Sequence, residues 1–241
     1  MISKIKANLY DKYTKTYPQH HIKIAKEIAK VAKIKKQDHI LEIGVGTGMS
    51  TQVFLNCLGK EGVLDGIEIS RNMIYFFKKN IMSNNIGRVI NGDAKNIAKY
   101  FVNKKYDKIL CSNSFFWIKD INKFLKGVSK LLKKDSRFIF SIYGTSILEY
   151  SPKRIKYILQ SVGMDHKKNE SKVIFVDRPK EAHEEYLKII GPGFNPNNFK
   201  FNPNNISDRV AKSKKIWQSF GLNPNKFHRS TPVMIYSAAL I

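Results

Sequence analysis

Apolar residues in this chain fall into two alternating patterns. Within Ile22–Ala32 they recur at 24, 28, 31 and 32, the spacing of an amphipathic helix. Short apolar runs at His39–Ile43, Gly62–Ile69, Arg88–Asp93, Tyr106–Ser112 and Phe138–Ile142 predict five strands. Between them the spacing predicts helices from Ser50 to Leu58, from a Ser70 cap to Asn80, and from Ile121 to Leu132, the last with apolar positions 121, 124, 125, 128, 131 and 132. Strands alternating with helices mean βαβ units and a mostly parallel sheet, an α/β fold of Rossmann type. Right-handed crossovers then place the loop after the first strand at the carboxyl edge of the sheet.

Beyond residue 145 the pattern is less regular. Residues 191–205, with Gly191, Pro192, Gly193, Pro196 and several asparagines, read as loop. Ser207 predicts the cap of a helix through Phe220, with Val210, Trp217 and Phe220 on one side. Val233–Ile241 predicts a final strand, antiparallel to the rest. An alternative puts the closing hairpin at Gly163–Val176; the later assignment is favoured because an apolar terminal strand needs a sheet to pair with. No internal repeat and no second domain are evident.

The 241 residues are enough for one well-buried domain. Cys57 and Cys111 form no metal-ligand spacing and no disulfide framework, and the histidines at 20, 21, 39, 166, 183 and 228 show no metal spacing, so no metal is expected. The N-terminus carries no signal-peptide pattern and no apolar run reaches the roughly 18 residues of a membrane span, so the expectation is a cytoplasmic protein. The net charge is +24, carried by 36 lysines and only seven arginines spread along the whole chain. Two readings stand: a lysine-coated solvated surface shaped by composition, or a surface selected for an anionic partner. Phosphate and base recognition favours the arginine fork, which is scarce here.

Candidate chemistry concentrates at Glu42-Ile43-Gly44-Val45-Gly46-Thr47-Gly48. Three alternate glycines after a strand let the backbone turn sharply and approach a ligand closely. The spacing is G-x-G-x-G. A dinucleotide-type G-x-G-x-x-G would need a glycine at Met49. Glu42 beside the loop disfavours phosphate and favours a cation, which points to a positively charged nucleoside cofactor.

On these residues the chain resembles the class I S-adenosylmethionine-dependent methyltransferases. Glu42–Gly48 is similar to that family's first motif, and Glu68 ends the second strand as its second motif does. Gly92-Asp93-Ala94 resembles the third motif, and Ser112-Asn113-Ser114-Phe115-Phe116-Trp117 the segment after the fourth strand. That last segment, with Asp120 and Phe140-Ser141, further resembles the subgroup of malonyl-carrier-protein O-methyltransferases and quinone C-methyltransferases. The resemblance implies S-adenosylmethionine as cofactor and S-adenosylhomocysteine as product. It implies a cofactor site of Tyr10, Glu42, Gly44, Gly46, Gly48, Glu68, Ile69, Met73, Asp93, Ala94 and Asn113. In it Glu42 receives the ammonium and Glu68 the ribose hydroxyls. Asp93 and Ala94 meet the adenine edge, and Ile69 and Met73 its faces. It also implies an N-terminal helical lid and a cap insertion: lid helices over 1–37, a cofactor-binding core over 38–144, a substrate cap over 145–205, and a closing helix and strand over 206–241.

Bland readings compete at several positions. Acidic residues at strand ends also cap helices, which applies to Glu42, Glu68 and Asp93. Phe115, Phe116 and Trp117 read first as core, with one aromatic in an acceptor pocket as the alternative. Tyr10 either touches cofactor or packs. Tyr10, Tyr13, His20 and His21 are the candidates for a general base, His20 and His21 competing with an ordinary solvated role. The expected reaction is O-methylation of a carboxyl or hydroxyl on a small molecule or a carrier-bound acyl group, with an acidic carrier protein as partner. The Asn/Asp-Pro-Pro-Tyr segment of many nucleic-acid amino-methyltransferases is missing at Ser112–Phe115, and Cys111 lacks the preceding proline of cytosine C5 enzymes. The alternatives are an RNA or protein methyltransferase using the basic surface, and a non-catalytic cofactor-binding partner subunit.

Overall fold

The computed structural model describes residues 2–177, 179–190, 206–219, 222 and 230–241. The 191–205 segment, Phe220 and His228 lie outside the described residues, as does the side chain of Val210.

Two helices, α1 (Lys4–Thr16) and α2 (Gln19–Ala32), precede the sheet. Strands β1 (His39–Ile43), β2 (Val63–Glu68), β3 (Ile86–Asn91), β4 (Tyr106–Cys111) and β5 (Leu132–Tyr143) follow. They are separated by α3 (Met49–Leu55), α4 (Arg71–Asn80), the short α5 (Ile97–Tyr100) and α6 (Ile121–Leu131). The C-terminal part adds α7 (Pro152–Gln160), β6 (Met164–His166), β7 (Lys172–Asp177), α8 (Lys180–Ile190), α9 (Ile206–Gln218) and β8 (Ser230–Leu240). The sheet order is β3-β2-β1-β4-β5-β8-β6, with β7 also paired to β8. The first five strands are parallel, and β8 runs antiparallel to β5, Phe140 facing Tyr236 in register.

The later assignment of the closing strand therefore holds, and no closing hairpin forms at Gly163–Val176. Residues 230–240 form the long antiparallel strand, and the Gly163–Val176 region supplies β6 and β7, which share its far edge end to end. Part of 145–205 is thus sheet. β5 also begins six residues earlier than its apolar run predicts. Lys133, Lys134 and Asp135 are exposed and Asp135 takes φ 62, so this stretch pairs irregularly with β4 and carries no strand-like alternation.

Alternation along the strands builds two cores. Leu41, Ile43, Ile109, Phe138 and Phe140 face a layer closed by α6, α7 and Trp217 of α9. Ile40, Leu64, Leu110 and Ile139 face the opposite layer, closed by Ile24, Ala25, Ile28 and Ala29 of α2 and Phe54 of α3. Phe115 stacks on Phe140 at 4.2 Å between ring centroids, so it belongs to the core. Residues of α1, α2 and α8 come together at the carboxyl edge of β1–β5. No described helix is long and apolar enough to cross a membrane.

Candidate functional site

A cavity of about 460 Å³ runs along this edge. Its lining follows the sheet order. At one end lie Glu68, Ile69 and Met73 after β2, with Gly92, Asp93 and Ala94 after β3. The middle is the glycine loop after β1 and Ser112, Asn113 and Ser114 after β4. At the other end lie Tyr143 of β5, Thr231 of β8, Val176 of β7, and Tyr186 and Ile189 of α8. Tyr10 and Thr14 of α1 and His20, His21 and Ile24 of α2 complete the wall.

The glycine loop owes its shape to left-handed backbone. Gly44, Gly46 and Gly48 take φ values of 73°, 55° and 99°. They serve different ends. A Cβ at Gly46 meets nothing within 4 Å, so this glycine leaves open space on the cavity wall. A Cβ on Gly48 lies 2.5 Å from Ile81, and this glycine does not line the cavity; it lets α3 start against α4. At Gly44 a Cβ collides with the Ser114 side chain.

Glu68 sits between the loop and the cavity. Its Oε2 accepts from the Gly46 N–H at 3.0 Å and its Oε1 from the Ser70 N–H at 2.9 Å. Burial pushes its carboxyl up, opposed by those backbone donors. Asp93 caps a turn and also borders the cavity. Its Oδ1 accepts from the Lys95 N–H at 3.0 Å and caps a 3₁₀ turn (Ala94–Asn96), and the side chain lines the cavity. Ile69 is 59% exposed at the rim, whereas Met73 is buried against the wall.

Glu42 departs from its expected place. It is fully buried, does not line the cavity, and Oε2 accepts from the Thr51 hydroxyl at 2.6 Å. Burial pushes its carboxyl up to about 8, so it is largely protonated at neutral pH and a weak partner for a ligand cation. Its side chain lies inside the fold because strand alternation puts it on the face of Ile40, covered by α3, which carries Thr51. Tyr13 likewise lies off the cavity, buried beside Tyr17 and Tyr186. His20 and His21 are buried rather than solvated, at 5% and 7% exposure, because both rings turn inward under α1.

Asn113, which the resemblance also gives to the cofactor site, lines the cavity where Glu42 does not. It holds φ 57 after β4, and its N–H donates to Ser141 Oγ at 3.0 Å. Its Oδ1 is buried and finds no hydrogen-bond partner among the described residues. Nδ2 lies 3.4 Å from His21 Nδ1. A buried carbonyl oxygen without a donor is costly unless a ligand supplies one. The cavity therefore suits a nucleoside carrying a cationic amino-acid tail. Glu68, Asp93 and Asn113 all line it and bring side-chain oxygens to three successive strand ends. Among the described residues no group of three side chains could hold a metal.

Sequence reasoning missed the hydroxyls of Thr14, Thr47, Ser50 and Ser112 on or beside this wall, and the far end from Tyr143 onward. Tyr143 was within reach, because it ends a strand whose carboxyl edge faces the site. Tyr186 and Thr231 arrive by tertiary packing and carry no local signal.

Comparison with known proteins identifies the family and the fold. Residues 34–183 match the family model described as a methyltransferase domain. The chain is 28% identical over 192 residues to malonyl-[acyl-carrier protein] O-methyltransferase 2 of Ilyobacter polytropus, covering 77% of the chain and 71% of that protein. It is 26% identical over 125 residues to the malonyl-[acyl-carrier protein] O-methyltransferase of Priestia megaterium, covering 52% of the chain and 44% of that protein. A crystal structure of a putative methyltransferase from Bacillus halodurans superposes with a TM-score of 0.62 at 11% identity, over 90% of the chain and 97% of its own, a likeness of fold.

Proposed function

The chain belongs to the methyltransferase-domain family, and from that premise we propose that it transfers a methyl group from S-adenosylmethionine to an oxygen of a small or carrier-bound acceptor. The observation that carries this is the order of groups along the cavity. Acceptors suited to adenosine stand at the β2 and β3 end, and the buried Asn113 oxygen stands at β4. A mainly apolar and aromatic chamber lies beyond, at β5, β7 and α8.

The cofactor supplies an activated methyl on a sulfonium. The chain's residues bind, orient and exclude water. Glu68 would take the ribose hydroxyls, Asp93 and the Ala94 N–H the adenine edge, and Ile69 and Met73 its faces. Gly46 leaves room for close backbone approach. Asn113 would hold the ammonium. With the donor fixed there, the acceptor enters from the Tyr143–Tyr186 end, and its reacting oxygen meets the methyl near Tyr10, His20 and His21. Charge is neutralised in such a displacement, so a dry wall favours it, and holding both reactants in line supplies much of the rate. A carboxylate acceptor needs no base at neutral pH. A hydroxyl acceptor would give its proton to His20, His21 or Tyr10, the three notional bases that reach the cavity.

Two relatives named for action on an acyl-carrier protein support a carrier-bound acceptor, which gives the +24 surface a purpose, since an acidic carrier would be steered toward it. On this reading the enzyme works in the cytoplasm, as one domain with α1 and α2 as the lid. The test is incubation with methyl-labelled S-adenosylmethionine and a cell extract, with mass identification of the product. The expected product is a methyl ester or ether on a small molecule or acyl carrier. Label confined to RNA or to protein side chains contradicts the reading.

A further inference from the structure

Helix α1 supplies Tyr10, Thr14 and Lys6 to the cavity wall, and its Tyr13 packs in a small cluster with Ala182, Ile189 and Tyr186 of α8. Its buried residues are Ala7, Asp11, Tyr13 and Thr14, while Ile5 and Leu9 point outward at 74% and 42% exposure. On its other side, toward the glycine loop and the end of α4, the contact is polar. Asp11, 5% exposed, accepts from Asn80 Nδ2 at 2.6 Å through Oδ1 and from Lys15 Nζ at 2.7 Å through Oδ2. Lys15 Nζ also donates to Asn80 Oδ1 at 2.8 Å, which closes a three-residue ring. The second amide hydrogen of Asn80 goes to the Thr47 carbonyl of the glycine loop at 2.9 Å. Thr14 and Thr47 hydroxyls approach at 3.4 Å beside it. At the start of the helix, Asn72 Nδ2 donates to the Ile2 carbonyl at 2.8 Å.

Asn80 is the last residue of α4, the helix that brings Met73 to the cavity. The ring thus joins three parts of the wall at one point: the lid helix, the glycine loop and α4. Asp11, Lys15 and Asn80 themselves do not line the cavity. We propose that these three are positioning residues that hold α1 closed over the cofactor half of the site, so that closing the helix and binding the cofactor are one linked equilibrium. The proposal rests on the S-adenosylmethionine reading given above. Hydrogen bonds of this kind each contribute modestly in water, so the contact of α1 with the glycine loop and α4 opens more readily than one made by apolar burial. A ligand that touches the closed seat must shift the same equilibrium.

The test combines calorimetric titration of the full chain with S-adenosylhomocysteine and amide hydrogen exchange, on wild type, Asn80→Ala and Asp11→Asn. If the variants populate the closed seat a tenth as often, their apparent affinity falls about tenfold. Exchange should quicken in α1 while β1 and β4 keep wild-type protection. Saturating S-adenosylhomocysteine should restore α1 protection in Asn80→Ala, which a purely structural defect would not allow. Unchanged affinity, or exchange that rises evenly through the sheet, overturns the proposal. A wild-type chain that takes up no S-adenosylhomocysteine overturns the cofactor reading, and with it the linkage. Exchange in ligand-free α1 then still shows whether the three residues seat the helix.

Discussion

Glu68 accepts a 3.0 Å hydrogen bond from the backbone N–H of Gly46, so the acid at the end of β2 fixes the glycine loop after β1. Its other oxygen takes the Ser70 N–H at the start of α4. One carboxylate therefore shapes the loop, begins the helix and faces the cavity. Glu68→Gln keeps the side chain's size but has one accepting oxygen, so one N–H loses its partner, at a cost of about 1–3 kcal/mol. S-adenosylhomocysteine affinity should fall at least about tenfold, with a measurable drop in melting temperature. Asp93→Ala should cost less in folding, since its cap serves only a three-residue turn, and should also weaken binding. Calorimetry and thermal melts on both variants check the pair; unchanged affinity in both removes the site assignment.

Gly46 and Gly48 should separate binding from folding. Alanine at either incurs left-handed strain of roughly 1–2 kcal/mol. Gly48→Ala also drives a methyl into Ile81 and should give the larger loss of melting temperature. Gly46→Ala projects its methyl into open cavity space, so it should lose affinity for S-adenosylhomocysteine while melting closer to wild type. The reverse order would contradict the division.

Much of this was legible in the chain. Apolar runs give β1, β2 and β4 nearly to the residue because these strands are buried between two layers, and helical spacing gives α4 and α6 because each has one buried face and a side-chain cap, at Ser70 and Asp120. Ser70, predicted as a cap, accepts from the Met73 N–H. The three glycines and the strand-end acids announce the edge of the sheet where the cavity lies. Glu42 misleads because sequence shows that an acid is near the loop but not on which side of the sheet edge it points. Asn113 is named by its motif, but its φ of 57° and the buried side-chain oxygen without a donor are not visible in sequence. The lock around Asp11 joins residues up to 69 positions apart and has no local pattern.

Glu42 should make stability depend on pH in a defined direction. Burial raises its carboxyl from 4.5 to about 8 in the folded chain. Below pH 4.5 both folded and unfolded chains hold the proton, and burial carries no pH-dependent penalty. Between 4.5 and about 8 the unfolded chain releases a proton that the folded chain keeps, so stability falls as pH rises. Above that the folded chain ionises too and the slope ends. Glu42→Gln removes this dependence, and its advantage over wild type should grow with pH across that window by up to a few kcal/mol, about 1.4 kcal/mol per unit. Urea unfolding at several pH values checks it; parallel curves for the two proteins contradict the assignment.

Asn113→Ala should discriminate between ligands. Its Oδ1 is assigned to the ammonium of the amino-acid tail, so the variant should lose affinity for S-adenosylhomocysteine by about tenfold, the size of one charge-assisted hydrogen bond. 5′-Methylthioadenosine, which has the nucleoside but no amino-acid tail, should bind wild type and variant alike. Equal losses for both ligands would place Asn113 elsewhere in the site's workings.

The most direct test of the whole account is a crystal structure of the chain with S-adenosylhomocysteine. The account predicts adenine between Ile69 and Met73 at Asp93, ribose hydroxyls on Glu68, and the homocysteine nitrogen on Asn113, with the sulfur turned toward Tyr10 and His21. A nucleoside bound in the opposite direction along the sheet edge, or outside the cavity altogether, would contradict it.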